Sequence, residues 1–85
     1  MNYEQEIRSI LVESILLSVP IEAIDVNTEL QLVGMDSLSF VRVVVDIENH
    51  FDIEFPDERL IISQANTIQT LCDIVGNSKQ IRMQL

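Results

Sequence analysis

Ser37-Leu38-Ser39-Phe40-Val41-Arg42-Val43-Val44-Val45-Asp46-Ile47-Glu48-Asn49-His50-Phe51 is the stretch on which the fold turns. Phe40, Val43, Val44, Ile47 and Phe51 fall at i, i+3, i+4, i+7 and i+11, one continuous apolar stripe of a helix. Leu38, Val41 and Val45 make a second stripe beside it. A strand is the competing reading, because three consecutive valines have weak helix propensity, at about 0.5 kcal/mol each relative to alanine. Burial of each core valine or phenylalanine contributes about 1.5–3 kcal/mol, so packing outweighs propensity. A helix from Asp36 or Ser37 to near Phe51 is expected.

Immediately upstream, Gly34-Met35-Asp36 leads into that helix. With Asp36 as N-cap, its carboxylate accepts from amides of the first turn, and Ser37 becomes the first helical residue with its hydroxyl free. Taken alone, Asp-Ser at a helix start favours the reading of Ser37 as a plain cap. Toward the N-terminus, Ile7, Ile10, Leu11 and Ile15 give an amphipathic helix from about Tyr3 to Ser18, which Pro20 should stop by disfavouring helical backbone at Val19. The connection to Asp36 carries Ile21, Ile24, Val26, Leu30 and Leu32, so it is expected to lie across the core.

Downstream, Ile53 and Phe55 alternate with Glu54 before Pro56, and Asp57 to Ile62 reads as a short helix with proline near its start. Asn66 or Thr67 can cap a last helix built on Ile68, Leu71, Cys72 and Val75, and Gly76-Asn77 is a stop signal. The tail from Ser78 to Leu85 is left open between extending that helix, docking and fraying. The expected fold is all-α, a small four-helix bundle of three longer helices and one short one with a long first loop. Residues 1–77 form the domain and 78–85 a C-terminal tail.

At 85 residues the chain has room for one core. No apolar run approaches the ~20 residues of a membrane span, and the N-terminus lacks the order of a signal peptide, so a cytoplasmic protein is expected. Cys72, the only cysteine, excludes an internal disulfide or a cysteine metal cluster and reads as a small buried core residue. Charge is placed unevenly. From Glu22 to Glu58 there are ten acids and one base, Arg42, whereas four acids and four bases lie outside that window. The whole net charge of −9 therefore surrounds Ser37. Such a field repels nucleic acid and anionic membranes and favours partners with a basic patch.

Gly34-Met35-Asp36-Ser37-Leu38, the apolar helix, Glu48-Asn49-His50-Phe51-Asp52-Ile53-Glu54-Phe55-Pro56-Asp57-Glu58, and Thr67-Ile68-Gln69-Thr70-Leu71 together resemble the acyl carrier protein family in residue type and spacing. The resemblance spans about Ile7 to Val75. It implies a non-catalytic carrier whose Ser37 receives 4′-phosphopantetheine from coenzyme A, attached by a separate Mg²⁺-dependent phosphopantetheinyl transferase. The arm's thiol then holds the intermediate as a thioester, and the cofactor carries the chemistry. Asp36 and Leu38 match positions touched by the transferase and other partners, Val41 and Val45 match apolar contact positions, and Glu48 matches an acidic one. The implied partners are the transferase, an acyl- or aminoacyl-loading enzyme and a downstream synthase or transferase, with the carrier monomeric. Ser39 and Arg42 depart from the acids that primary fatty-acid carriers usually have early in this helix. That points to a free-standing carrier of a specialised polyketide, lipid or nonribosomal peptide pathway. Asp36 before Ser37 favours acyl cargo; an aminoacyl or peptidyl carrier is the alternative, since stand-alone aminoacyl carriers share Asp-Ser.

Three other readings compete. Asp25-Val26-Asn27-Thr28-Glu29 imitates the start of a calcium loop, but Leu30 stands at the obligatory glycine and Asp36 at the twelfth position, so no metal site is expected and the carboxylates should cap a turn. A serine hydrolase of Ser37 and His50 fails on reach: thirteen residues of one helix separate them, roughly 20 Å. His50 is expected at the surface. An unmodified acidic helical interaction module explains the charge and the second stripe without a cofactor, and would be indifferent to loss of the Ser37 hydroxyl.

Overall fold

The computed structural model describes residues 3–56 and 60–83. Three α-helices stand in chain order: α1 (Glu4–Ser14), α2 (Ser37–Phe51) and α3 (Ile68–Met83), with short 3-10 turns at Ile21–Ala23, Leu30–Val33 and Ile62–Gln64 and no strand among the described residues. Helix α1 packs against both α2 and α3. The core is built from Ile7 and Leu11 of α1, the Phe40-Val43-Val44-Ile47-Phe51 stripe of α2, and Ile68, Leu71, Ile74 and Val75 of α3. The strand reading of the valine run is excluded, and Val43 and Val44 are buried as the helical stripe requires. No helix among the described residues is long and apolar enough to cross a membrane.

Helix α1 ends at Ser14, four residues short of the expected Ser18, with Ile15 extended at φ −127° and ψ 140°. Proline geometry reaches back only to Val19. The earlier stop has a distant cause: the Ser18 amide donates to the Val33 carbonyl at 2.9 Å. Such a bond draws residues 15–18 away from the helix toward the segment before α2. The long first loop lies on the core as expected, with Ile24, Leu30 and Met35 buried and Ile21 and Val26 packed against them. Leu32, grouped with them by sequence, instead faces solvent.

Arg8 holds this loop. Its Nη1 donates to the carbonyls of Ile21 and Ile24, each at 2.8 Å, while its Nε donates to Glu4 Oε2 at 2.8 Å. Replacing Arg8 by methionine keeps the aliphatic stem but strips both carbonyls of their charged donor. The expected loss is about 1–3 kcal/mol, read by chemical denaturation, with faster amide exchange concentrated at residues 21–28.

The short helix expected from Asp57 to Ile62 falls partly on residues 57–59, outside the described residues. Leu60 and Ile61 are not helical, and the 3-10 turn at Ile62–Gln64 follows them. Thr67 caps α3 as expected, its Oγ1 accepting from the Thr70 amide at 3.0 Å. The stop at Gly76-Asn77 does not occur, since α3 continues to Met83. A glycine stop needs left-handed backbone, and Gly76 does not take positive φ. It lies instead beside α1, where an added Cβ would sit 3.8 Å from the Tyr3 ring.

Candidate functional site

The start of α2 is fastened from both sides. Met35, one residue before the cap, and Phe40, in the first turn, are both buried in the core; apolar residues at these two positions form the hydrophobic staple that sets a helix's entry angle. With its flanks drawn inward, the segment Asp36-Ser37-Leu38 is lifted to the surface. Gly34 makes the approach possible. Its φ of +125° is open to glycine, and a Cβ there would lie 2.5 Å from the Leu16 carbonyl oxygen.

Asp36 is the N-cap, as expected, and its Oδ1 accepts from the Ser39 amide at 2.9 Å. Ser39 closes the reciprocal half of a capping box, its Oγ accepting from the Asp36 amide at 2.9 Å. Sequence reasoning registered Ser39 only as a missing acid, because glutamate or glutamine is the residue usually sought at this position. The amide and hydroxyl of Ser39 hold the Asp36 carboxyl below its ordinary range. A lowered folded-state pKa means the cap's contribution is present above the unfolded value near 3.9 and is lost as pH falls through the folded one. The melting-temperature gap between the parent and Asp36→Ala is therefore expected at neutral pH and should close below about pH 4.

Ser37 is the first residue of α2, exposed, and no hydrogen bond among the described residues engages its hydroxyl. The plain reading of Ser37 as a cap is thereby excluded, since Asp36 does the capping. Behind it the second stripe stays outside the core: Leu38 is 80 % exposed, Val41 57 % and Val45 45 %. This face carries apolar area that folding does not use. Glu48 is half-buried, and its Oε2 accepts from the Phe55 amide at 2.9 Å. One carboxylate oxygen of this expected partner-contact residue thus pins the loop after α2. Sequence spacing did not signal that bond.

Asp25 Oδ1 accepts from the Asn27 amide at 2.9 Å, the turn-capping role expected for the calcium-like segment. His50 lies at the far end of α2 from Ser37, exposed, with Nε2 3.5 Å from Glu6 Oε2 and its ring edge-on to Phe51. Cys72 is half-buried at the margin of the core; burial first, then the charges of Glu4 and Asp73, push its thiol up, away from the reactive thiolate.

A capped helix start with an exposed, unengaged serine suits covalent attachment of a phosphate-linked group. The family model described as phosphopantetheine attachment site matches residues 5–75. The chain is similar to an acyl carrier protein of Akkermansia muciniphila, with 31% identity over 82 residues that cover 95% of this chain and 94% of the relative. Among solved structures it is similar to a chain in the complex of an engineered Bradyrhizobium japonicum glycine:[carrier protein] ligase with a carrier protein from Agrobacterium tumefaciens and ATP. The TM-score is 0.81 at 32% identity, covering 87% of this chain and 96% of that one. A hexanoyl acyl carrier protein of the actinorhodin polyketide synthase from Streptomyces coelicolor shares the fold, with TM-score 0.77 at 19% identity over 91% of this chain and 90% of that one. The staple, the cap and the free serine at the head of α2 lie inside the matched region, and the chain belongs to the phosphopantetheine-attachment family of acyl carrier proteins.

Proposed function

We propose that Ser37 is the residue to which 4′-phosphopantetheine is attached, and that the protein is a carrier without catalytic activity of its own. The observation that supports this most is the exposed Ser37 hydroxyl, left unengaged because Asp36 and Ser39 cap the helix between themselves. In the transfer, Ser37 Oγ bonds to the phosphorus next to pantetheine, the pyrophosphate bond of coenzyme A breaks, adenosine 3′,5′-bisphosphate leaves, and the serine proton is lost to the transferase. When attached, the arm supplies a thiol that holds cargo as a thioester. The chain's own part is to present that arm at a rigid corner. Leu38, Val41 and Val45 offer partners an apolar face next to Ser37, with Asp36 and Glu48 at its two ends.

In this reading residues 1–77 are the carrier domain, beyond which α3 runs on to Met83, and the 3-10 turn at Ile62–Gln64 is the short fourth element of the bundle. The protein acts as a cytoplasmic monomer, visited in turn by a phosphopantetheinyl transferase, a loading enzyme and a downstream synthase or transferase of a specialised polyketide, lipid or nonribosomal peptide pathway. Acyl cargo is the first reading. The likeness to a chain of the glycine:[carrier protein] ligase complex favours aminoacyl cargo as the second. Incubation with coenzyme A, Mg²⁺ and a broad-specificity transferase should add one phosphopantetheine by intact mass. No gain, with a control carrier modified in the same tube, would favour the unmodified interaction module.

A further inference from the structure

Arg42 is the only lysine or arginine from Glu22 through Glu58. Its side chain is exposed, and among the described residues no hydrogen bond or ion pair engages it. The acid placed to neutralise it is Asp46, one turn on at i+4. Asp46 is committed elsewhere: its Oδ2 accepts from the buried Ser14 Oγ and ties α2 to α1. The guanidinium lies exposed to solvent.

Helical geometry places Ser37, Val41, Val45, Leu38 and Arg42, in that angular order, within one sector about 140° wide, and Arg42 lies only about 7.5 Å along the axis from Ser37. A protein that reaches a group on Ser37 by covering the exposed Leu38-Val41-Val45 face must also cover Arg42. Apolar surface laid over a guanidinium removes its water without replacement, which is unfavourable. A base in the partner would be repelled. A carboxylate can take both edges of the guanidinium in a bidentate pair. At this one point the chain selects for the sign opposite to that favoured by its surrounding acids.

We propose that Arg42 is the specificity-determining residue for the enzyme that charges this carrier, pairing with a carboxylate set in that enzyme's apolar docking surface. The inference rests on attachment at Ser37. Its test starts from the parent and from Arg42→Lys, Arg42→Met and Arg42→Glu, each first given its phosphopantetheine by a broad-specificity transferase and checked for unchanged thermal unfolding. Each is then added at low concentration to an extract of the source cells that charges the parent, and the initial rate of further mass gain is followed by intact mass spectrometry. With a carboxylate opposite, Lys, which keeps the charge but loses the second bond of the fork, should charge about two- to three-fold slower than the parent, Met about five-fold slower and Glu about ten-fold slower or worse. Equal rates across the series, or a Glu variant faster than the parent, would overturn the proposal. Failure of the parent to accept phosphopantetheine, or its acceptance by Ser37→Ala, would sink the attachment reading itself. A modified parent with a flat Arg42 series would sink only the role of Arg42.

Discussion

Ser37→Ala is expected to fold like the parent and to take up no phosphopantetheine, so that every cargo-bearing form disappears together. Separation of folding from loading follows from the hydroxyl's lack of any hydrogen bond within the described chain. The cap is made by Asp36 and Ser39, and both of its bonds survive the substitution. Alanine is also the better helix former, by up to about 0.5 kcal/mol at an exposed position. The melting temperature should therefore stay within a few degrees of the parent or rise slightly. Intact mass after incubation with coenzyme A, Mg²⁺ and transferase reads the outcome, with circular dichroism as the folding control. A folded Ser37→Ala protein that still gains one phosphopantetheine would place the attachment on another hydroxyl and dismantle the site described above.

The second large effect is expected at Gly34. In Gly34→Ala the new Cβ would stand 2.5 Å from the Leu16 carbonyl oxygen, on backbone at φ +125° that side-chain-bearing residues rarely adopt. The backbone conformation alone costs about 1–3 kcal/mol. The clash adds to this, because a main-chain carbonyl cannot swing aside as a flexible side chain would. At about 4–8 °C per kcal/mol for a domain of this size, the melting temperature should drop by roughly 10 °C or more. The damage should also reach α2, since Gly34 stands one residue before Met35, whose burial anchors the helix entry. Slower phosphopantetheine transfer to the folded fraction is therefore expected along with the lower melting temperature. A variant with unchanged thermal unfolding would mean that the close approach of residues 16 and 34 does not hold in solution.

Much of this arrangement was legible in residue types and their spacing. Helix α2 was, because five buried residues share one period and an N-cap aspartate marks its start. The boundaries of α1 and α3 were not. Ser18 leaves the helical path for a carbonyl fifteen positions downstream, and Gly76 stays helical beside the ring of Tyr3 at the other end of the chain. Local punctuation says nothing about such distant partners. At the site, Ser37 and its cap could be read from a short motif. The outward face of Leu38, Val41 and Val45 could not be told from a wide core face until the positions of α1 and α3 were known. The bonds from Ser14 to Asp46 and from the Phe55 amide to Glu48 join residues whose types alone gave no hint that they pair.

The first loop is tied to the opening of α3 by two main-chain bonds, the Leu30 amide donating to the Asn66 carbonyl at 2.8 Å and the Gln69 amide to the Val26 carbonyl at 2.9 Å, and by one side-chain bond, from Asn66 Nδ2 to Gln31 Oε1 at 3.0 Å. Every residue carries a carbonyl, and every residue but proline an amide. The two main-chain bonds are thus indifferent to most side-chain replacements at Asn66 or Gln69, although replacing Asn66 also removes its bond to Gln31. Mutational tolerance there should be broad, with proline at residue 30 or 69 the exception that unfastens the seam.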